Sequence, residues 1–176
     1  MTTEQNKVLE ALQAAIKMET DGKKFYLRAS AQSSNDAGKK LLKTLAAEED
    51  IHRQNFEVIY EALRHKKGWP NIAVKPDAGK GLRTVFNEAA GKVGKAAKAL
   101  ASEIGAVQTA MDMENKSYDF YRSQLRTATS DAAKSFYEAL SAQEKEHHRL
   151  LLDYFEFLKD PAAWFVKAEH PSLDGG

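Results

Sequence analysis

Apolar positions recur every three or four residues through four long stretches of this chain, and no segment shows the strict alternation of a strand; the pattern predicts helices only. The first stripe runs Val8, Leu12, Ala15, Glu19, Gly22, Tyr26 and Ala29 and ends near Ser33-Ser34-Asn35-Asp36. The second carries Leu42, Leu45, Glu49, His52, Phe56, Ile59 and Leu63. It stops at Gly68-Trp69-Pro70, after the cations Arg64-His65-Lys66-Lys67 that suit the negative end of a helix dipole. The third follows Leu100, Ile104, Val107, Met111, Glu114, Tyr118, Tyr121 and Leu125 into Thr127-Ala128-Thr129-Ser130-Asp131, a run of turn and capping residues. The fourth carries Tyr137, Leu140, Glu144, His147, Leu151, Tyr154 and Leu158 before Asp160-Pro161.

Four helices that are each apolar along one face need a shared core, so the expected fold is an all-α four-helix bundle built from two hairpins, 5–68 and 97–160. The connection 69–96 is rich in Gly, Lys and Ala and long enough to run the length of the bundle as a crossover. Within it Leu82, Val85, Phe86, Ala89 and Val93 predict a short separate helix. Extending the third helix back to residue 82 would overshoot the bundle by roughly 24 Å at ~1.5 Å per residue. One domain, 1–160, and a C-terminal tail, 161–176, complete the expected organisation. Trp164 and Phe165 make that tail too apolar for a free linker, which predicts docking on the bundle or on a second subunit.

The polar residues on these stripes are not scattered. Met18-Glu19 with Phe25-Tyr26 reappears 95 residues later as Met113-Glu114 with Phe120-Tyr121, and Glu49-Asp50-Ile51-His52 reappears at the same offset as Glu144-Lys145-Glu146-His147. The halves are copies of one helical hairpin. Ser34, midway between Glu19 and Glu49, falls in the first turn; Thr129, midway between Glu114 and Glu144, falls in the second. All four glutamates therefore meet at one height. Glu-x-x-His puts a carboxylate and an imidazole on one helix face about a turn apart.

A single such pair is ordinarily a solvated face or a salt bridge, but two at matched offset, each level with a core Glu, argue for metal. Four carboxylates in an apolar core cost several kcal/mol each when unpaired, and two divalent cations cancel their charge. Carboxylates bridging both ions would make the centre dinuclear. Glu48 also shares a face with His52, but its repeat mate is Gln143, which selects Glu49 and Glu144 as the retained carboxylates. His65, His148 and His170 lack a repeat partner and are expected on the surface or in the tail, and Asp112 and Glu103 are expected to be solvated. Tyr26 and Tyr121 each follow a lone Glu by seven residues. They are either core packing or phenols that orient a ligand carboxylate across the bundle and supply an electron.

Composition narrows the chemistry further. With 26 Lys+Arg against 25 Asp+Glu the formal charge is +1, so no global field selects nucleic acid or an anionic membrane. No apolar run reaches the ~20 residues of a membrane span, and Met1-Thr2-Thr3-Glu4 does not open a signal peptide, which predicts a cytoplasmic protein. Cysteine is absent, so any metal is held by oxygen and nitrogen. Six such ligands accept manganese, iron, cobalt and zinc alike.

In these residues the chain resembles the rubrerythrin branch of the ferritin-like superfamily, and more distantly bacterioferritin, over about residues 5 to 160. The family pattern of a lone Glu followed by Glu-x-x-His, repeated once, falls on Glu19, Glu49 and His52 and on Glu114, Glu144 and His147; the two tyrosines match as well. The resemblance implies a ferritin-like bundle with a non-haem di-iron centre that reacts with hydrogen peroxide or dioxygen, and it makes a homodimer plausible. Rubrerythrin proper carries a rubredoxin domain with four cysteine ligands and an additional Glu three residues after the second lone Glu. Here cysteine is lacking and Ser117 stands at that place, with Gly22 at its first-half equivalent. Electrons would then come from a separate donor such as a rubredoxin-type protein. The expected function is a di-iron oxidoreductase reducing peroxide or dioxygen, with manganese or zinc as other possible metals. Its rivals are a ferroxidase or iron-storage protein and a non-enzymatic helical scaffold.

Overall fold

A computed structural model describes residues 3–74, 79–95 and 100–169, with the side chains of residues 3, 4, 168 and 169 left undescribed. Its elements are α1 (Thr3–Gln32), α2 (Asp36–Arg64), α3 (Lys80–Val93), α4 (Ala101–Thr127), α5 (Asp131–Lys159) and α6 (Pro161–Glu169), and no strand occurs among the described residues. Among the described residues, no helix is long and apolar enough to cross a membrane.

The turn residues act as helix starts. Asn35 accepts a hydrogen bond from the Gly38 amide at 2.9 Å to open α2, and Ser130 accepts one from the Ala133 amide at 3.2 Å to open α5. Each satisfies an amide that the first helical turn leaves without a partner. These two caps close the hairpins α1–α2 and α4–α5, which pack side by side as a ferritin-like bundle.

Two apolar clusters flank the middle of the bundle. One gathers Leu12, Ala15, Phe56, Ile59, Tyr121, Phe136, Tyr137 and Leu140, and Trp69 at the start of the crossover folds back on it, 5.7 Å from the Tyr137 ring. The other gathers Tyr26, Leu41, Leu42, Leu45, Leu150, Leu151, Tyr154 and Phe157 together with Leu82 and Phe86 of α3. The crossover thus contributes to the core: Phe86 sits 5.8 Å from Tyr154 and 6.0 Å from Phe157.

Three expectations need revision. Residues 161–169, expected as a tail outside the helical domain, form the helix α6, capped by Asp160 accepting from the Ala163 amide at 2.9 Å. Trp164 lies 5.5 Å from both Phe86 and Phe157, so the pair docks on the bundle itself; His170 and the residues after it lie outside the described segments. Val8 and Leu100, placed on inward stripes, are 37% and 56% exposed. Val8 lies near the start of α1 and Leu100 is the N-cap of α4, so both stand towards the ends of their helices.

Glu103 is the third. Expected in solvent, it is buried in the first turn of α4, against the α1–α2 turn. Its carboxylate accepts from Ser33 Oγ at 2.5 Å, Ser34 Oγ at 2.5 Å and Tyr154 Oη at 2.6 Å. Burial works to raise its pKa, but these donors outweigh it and hold the group below the usual carboxylate value. A glutamate without a repeat partner gave no sequence signal for this clamp between the two hairpins.

Candidate metal centre

Between the two apolar clusters lies a layer of ionisable groups. Glu19 of α1, Glu49 and His52 of α2, Glu114 of α4 and Glu144 and His147 of α5 are each at most 4% exposed. Their burial follows from the stripes, because the helix period that turns Leu12 and Tyr26 inward turns Glu19 inward too. His52 Nδ1 lies 3.5 Å from a Glu19 oxygen and 3.3 Å from Glu144 Oε1. His147 Nδ1 lies 3.4 Å from Glu49, 3.5 Å from Glu114 and 3.3 Å from Glu144 Oε2.

These atoms form two overlapping ligand sets: Glu19, Glu49, His52 and Glu144, and Glu49, Glu114, Glu144 and His147, with the donor atoms of each set within 4.8 Å of one another. Glu49 and Glu144 belong to both. Each set has one histidine and one lone glutamate of its own, the donor distribution that two cations bridged by two carboxylates require.

Hydrogen bonding gives an independent test of fit. Among the described residues, the buried side-chain atoms without a hydrogen-bond partner are Trp69 Nε1 and seven from this layer: Glu19 Oε2, Glu49 Oε1, His52 Nδ1, Glu114 Oε2, both Glu144 oxygens and His147 Nδ1. Each unsatisfied buried polar atom costs about 1–3 kcal/mol, so a cluster of them facing one point calls for a partner that protein groups do not supply. Their oxygen and nitrogen chemistry suits a divalent cation.

Behind the inward atoms, both lone carboxylates and both rings are held. Tyr26 donates its hydroxyl to Glu114 Oε1, and Tyr121 donates to Glu19 Oε1, so each phenol clasps the lone carboxylate of the opposite hairpin. The outer nitrogen of each ring is also engaged. His147 Nε2 lies 2.8 Å from Glu48 Oε2, and His52 Nε2 lies 3.2 Å from Gln143 Oε1. A carboxylate only accepts, so His147 donates from Nε2 and turns Nδ1 inward. Glu48 is therefore a support behind the ring, in keeping with its exclusion from the inward set. Gly22 completes the wall: a Cβ there would come within 2.9 Å of Glu49 Oε2.

Without a cation, protons carry the charge balance. Burial first, then the Glu19, Glu144 and Glu114 charges, push Glu49 well above the usual carboxylate range, and burial with Glu144 pushes Glu114 up to about 8. For His52, burial favours the neutral ring, but the Glu19 charge and contacts with Glu144 and Glu19 outweigh it and raise its pKa well above the ordinary value. His147 behaves alike, burial being overcome by Glu114, Glu144, Glu48 and Glu49. Glu144, touched by both imidazoles, is lowered despite its burial. Burial followed by Glu114 raises Tyr26, and burial followed by Glu19 raises Tyr121, so both phenols stay protonated as donors.

All six predicted ligands thus converge at one level, and both predicted tyrosines touch them. His65 is exposed, His148 is half-buried and Asp112 is exposed; none joins the layer. The fold and the buried Glu/His layer define a ferritin-like helical bundle with a candidate metal site. The sequence model of the rubrerythrin family matches residues 10–155, and the chain belongs to that family. Comparison with curated proteins and with solved structures returned no match.

Proposed function

We propose that this protein is a non-haem di-iron oxidoreductase that reduces hydrogen peroxide or dioxygen with electrons from a separate donor. The observation that carries the reading is the set of seven partnerless inward atoms, divided into two ligand sets that share Glu49 and Glu144. A vestigial scaffold has no reason to leave those atoms bare while securing the lone carboxylates and both rings from behind. Family membership supports iron, since the ligand types alone admit other divalent metals. Glu19 and His52 would hold one ion, Glu114 and His147 the other, and Glu49 and Glu144 both.

When bound, an iron pair supplies the electrons that cleave the O–O bond and is reduced again by the external donor. The residues hold the surrounding geometry. Tyr26 and Tyr121 fix the lone carboxylates through their hydroxyls, so Glu114 and Glu19 meet a cation with little loss of freedom. The flanking apolar clusters keep bulk water from the layer. Because Glu49, Glu114 and both imidazoles favour their protonated forms in the metal-free protein, metal entry releases protons. These 176 residues hold no cysteine for a rubredoxin-type iron site, which supports a donor on another molecule, a rubredoxin-type protein or a small reductant.

Anaerobic reconstitution with ferrous iron, followed by elemental analysis and stopped-flow mixing with peroxide and separately with oxygen, tests this reading. It predicts about two iron ions per chain, rapid oxidation by one of the oxidants, and repeated turnover when a reductant is present. Accumulation of many ions per chain would assign the protein to iron storage, and no uptake at all would leave only a scaffold.

A further inference from the structure

The duplication makes the metal ligands equivalent but not the groups behind the two rings. Glu48 and Gln143 are repeat mates, 95 residues apart, just as His52 and His147 are. Each reaches across to the ring of the other hairpin: Glu48 Oε2 to His147 Nε2 at 2.8 Å, Gln143 Oε1 to His52 Nε2 at 3.2 Å. The contacts occupy equivalent places and differ in chemistry. One acceptor is a carboxylate, the other a neutral amide.

We propose that the two cation positions are unequal, and that Glu48 makes the one beside His147 the tighter. An anionic acceptor on Nε2–H draws that proton outward, enriches Nδ1 as a donor and adds a negative charge behind the ligand. Gln143 offers His52 only a dipole over a longer contact. The other four ligands do not counter this difference, since the sets share Glu49 and Glu144 and each adds one lone Glu clasped by one tyrosine. Glu48 is a positioning residue: it acts through His147. The ion beside His147 is retained while the one beside His52 exchanges, so the centre fills and empties in order. This inference rests on the two-metal reading.

Cobalt(II) tests it without turnover. Crystals grown anaerobically with one equivalent of cobalt per chain are measured at the cobalt edge, and the binding isotherm is followed through the visible bands of the ion. The wild type is expected to show most of the anomalous density beside His147 and two separated binding steps. Glu48→Gln, which gives both rings an amide, should even out the two positions and weaken the first step by about 10–100-fold. The exchange Glu48→Gln/Gln143→Glu should move the density to the His52 side, a reversal that loss of stability does not mimic. Should Glu48→Gln fail to fold, Gln143→Glu alone is expected to narrow the gap by strengthening the second step. Equal occupancy in the wild type, or a gap unchanged in these variants, overturns the proposal. Absence of cobalt from all six side chains overturns the two-metal reading instead.

Discussion

Hairpin α1–α2 and hairpin α4–α5 descend from one pattern, and they agree most closely where they face each other. Glu19 matches Glu114, Glu49 matches Glu144, His52 matches His147 and Tyr26 matches Tyr121. One layer outward the agreement is only partial. The phenol of Tyr121 lies among Phe56, 5.5 Å away, and Tyr137, 6.3 Å away, whereas the repeat mates of those residues, Leu151 and Leu42, line the Tyr26 side with aliphatic groups. Glu48 stands against Gln143, and Gly22 against Ser117. The difference shows which constraint acts where. The proposed metal pair needs the same three donors from each half, while packing and support tolerate any group of suitable shape.

The sharpest way to break the equivalence is to remove a shared carboxylate. Glu144→Ala takes a donor from both ligand sets and removes the carboxylate that contacts both imidazoles, so elemental analysis should find binding of both ions abolished, with turnover lost. Glu114→Ala touches one set only and should leave one ion per chain.

The end of the bundle that carries α3 and α6 gives a contrasting loss. Phe86→Ala empties a fully buried site beneath Tyr154, Phe157 and Trp164 and should cost about 3–5 kcal/mol in denaturant unfolding. Metal stoichiometry should not change, because no ligand rests on that ring. A variant that lost metal in proportion to stability would show that the layers are not separable.

Tyr26→Phe and Tyr121→Phe each remove a buried hydroxyl donor and should destabilise the protein by about 1–3 kcal/mol. Their kinetic effects should differ in size if the aromatic surroundings of Tyr121 matter to electron supply, and should coincide if both phenols only hold a carboxylate.

Protonation gives a further comparison, between the metal-free and loaded states. Glu49 and Glu114 bind protons more tightly in the folded chain than in the unfolded one, as do His52 and His147. The folded state therefore holds more protons, and the stability they contribute is present at low pH and lost as pH rises. For Glu114 that loss falls between its usual pKa of 4.5 and about 8. Glu144, lowered, stays ionised across that window and does not oppose the trend. Thermal unfolding of the metal-free protein should accordingly shift to lower temperature from about pH 5 to about pH 8, and bound metal should flatten or reverse the slope. The smallest effect is expected of Gly22→Ala, whose added methyl presses on Glu49 Oε2 and moves a flexible carboxylate by a few tenths of an ångström. A modest weakening of metal binding with little change in unfolding would mark that contact.

Much of the centre was legible in sequence because duplication prints the same residues twice. Glu19 alone is one glutamate among many; Glu19 with Glu114, each level with a Glu-x-x-His across a turn, is a geometric statement. The bundle was legible for a related reason, since four stripes without partners of their own admit few arrangements. Features that occur once were missed. Glu103 has Val8 as its counterpart, and nothing along the chain says that the start of α4 meets the first turn. Glu48 and Gln143 were set aside because they differ, and only the three-dimensional crossing of the hairpins shows both engaged. The α6 helix was hidden behind Pro161, which reads as a stop after α5 and serves equally as the first residue of the next helix.

Glu49 and Glu144 are proposed to be shared by a pair of cations. Electron paramagnetic resonance of protein loaded anaerobically with two equivalents of manganese(II) tests it most directly, because ions sharing carboxylates couple magnetically. The broad spectrum of an exchange-coupled pair is expected, collapsing in Glu144→Ala. The hyperfine sextet of isolated manganese(II) at full loading, or the spectrum of the free ion in solution, would contradict it.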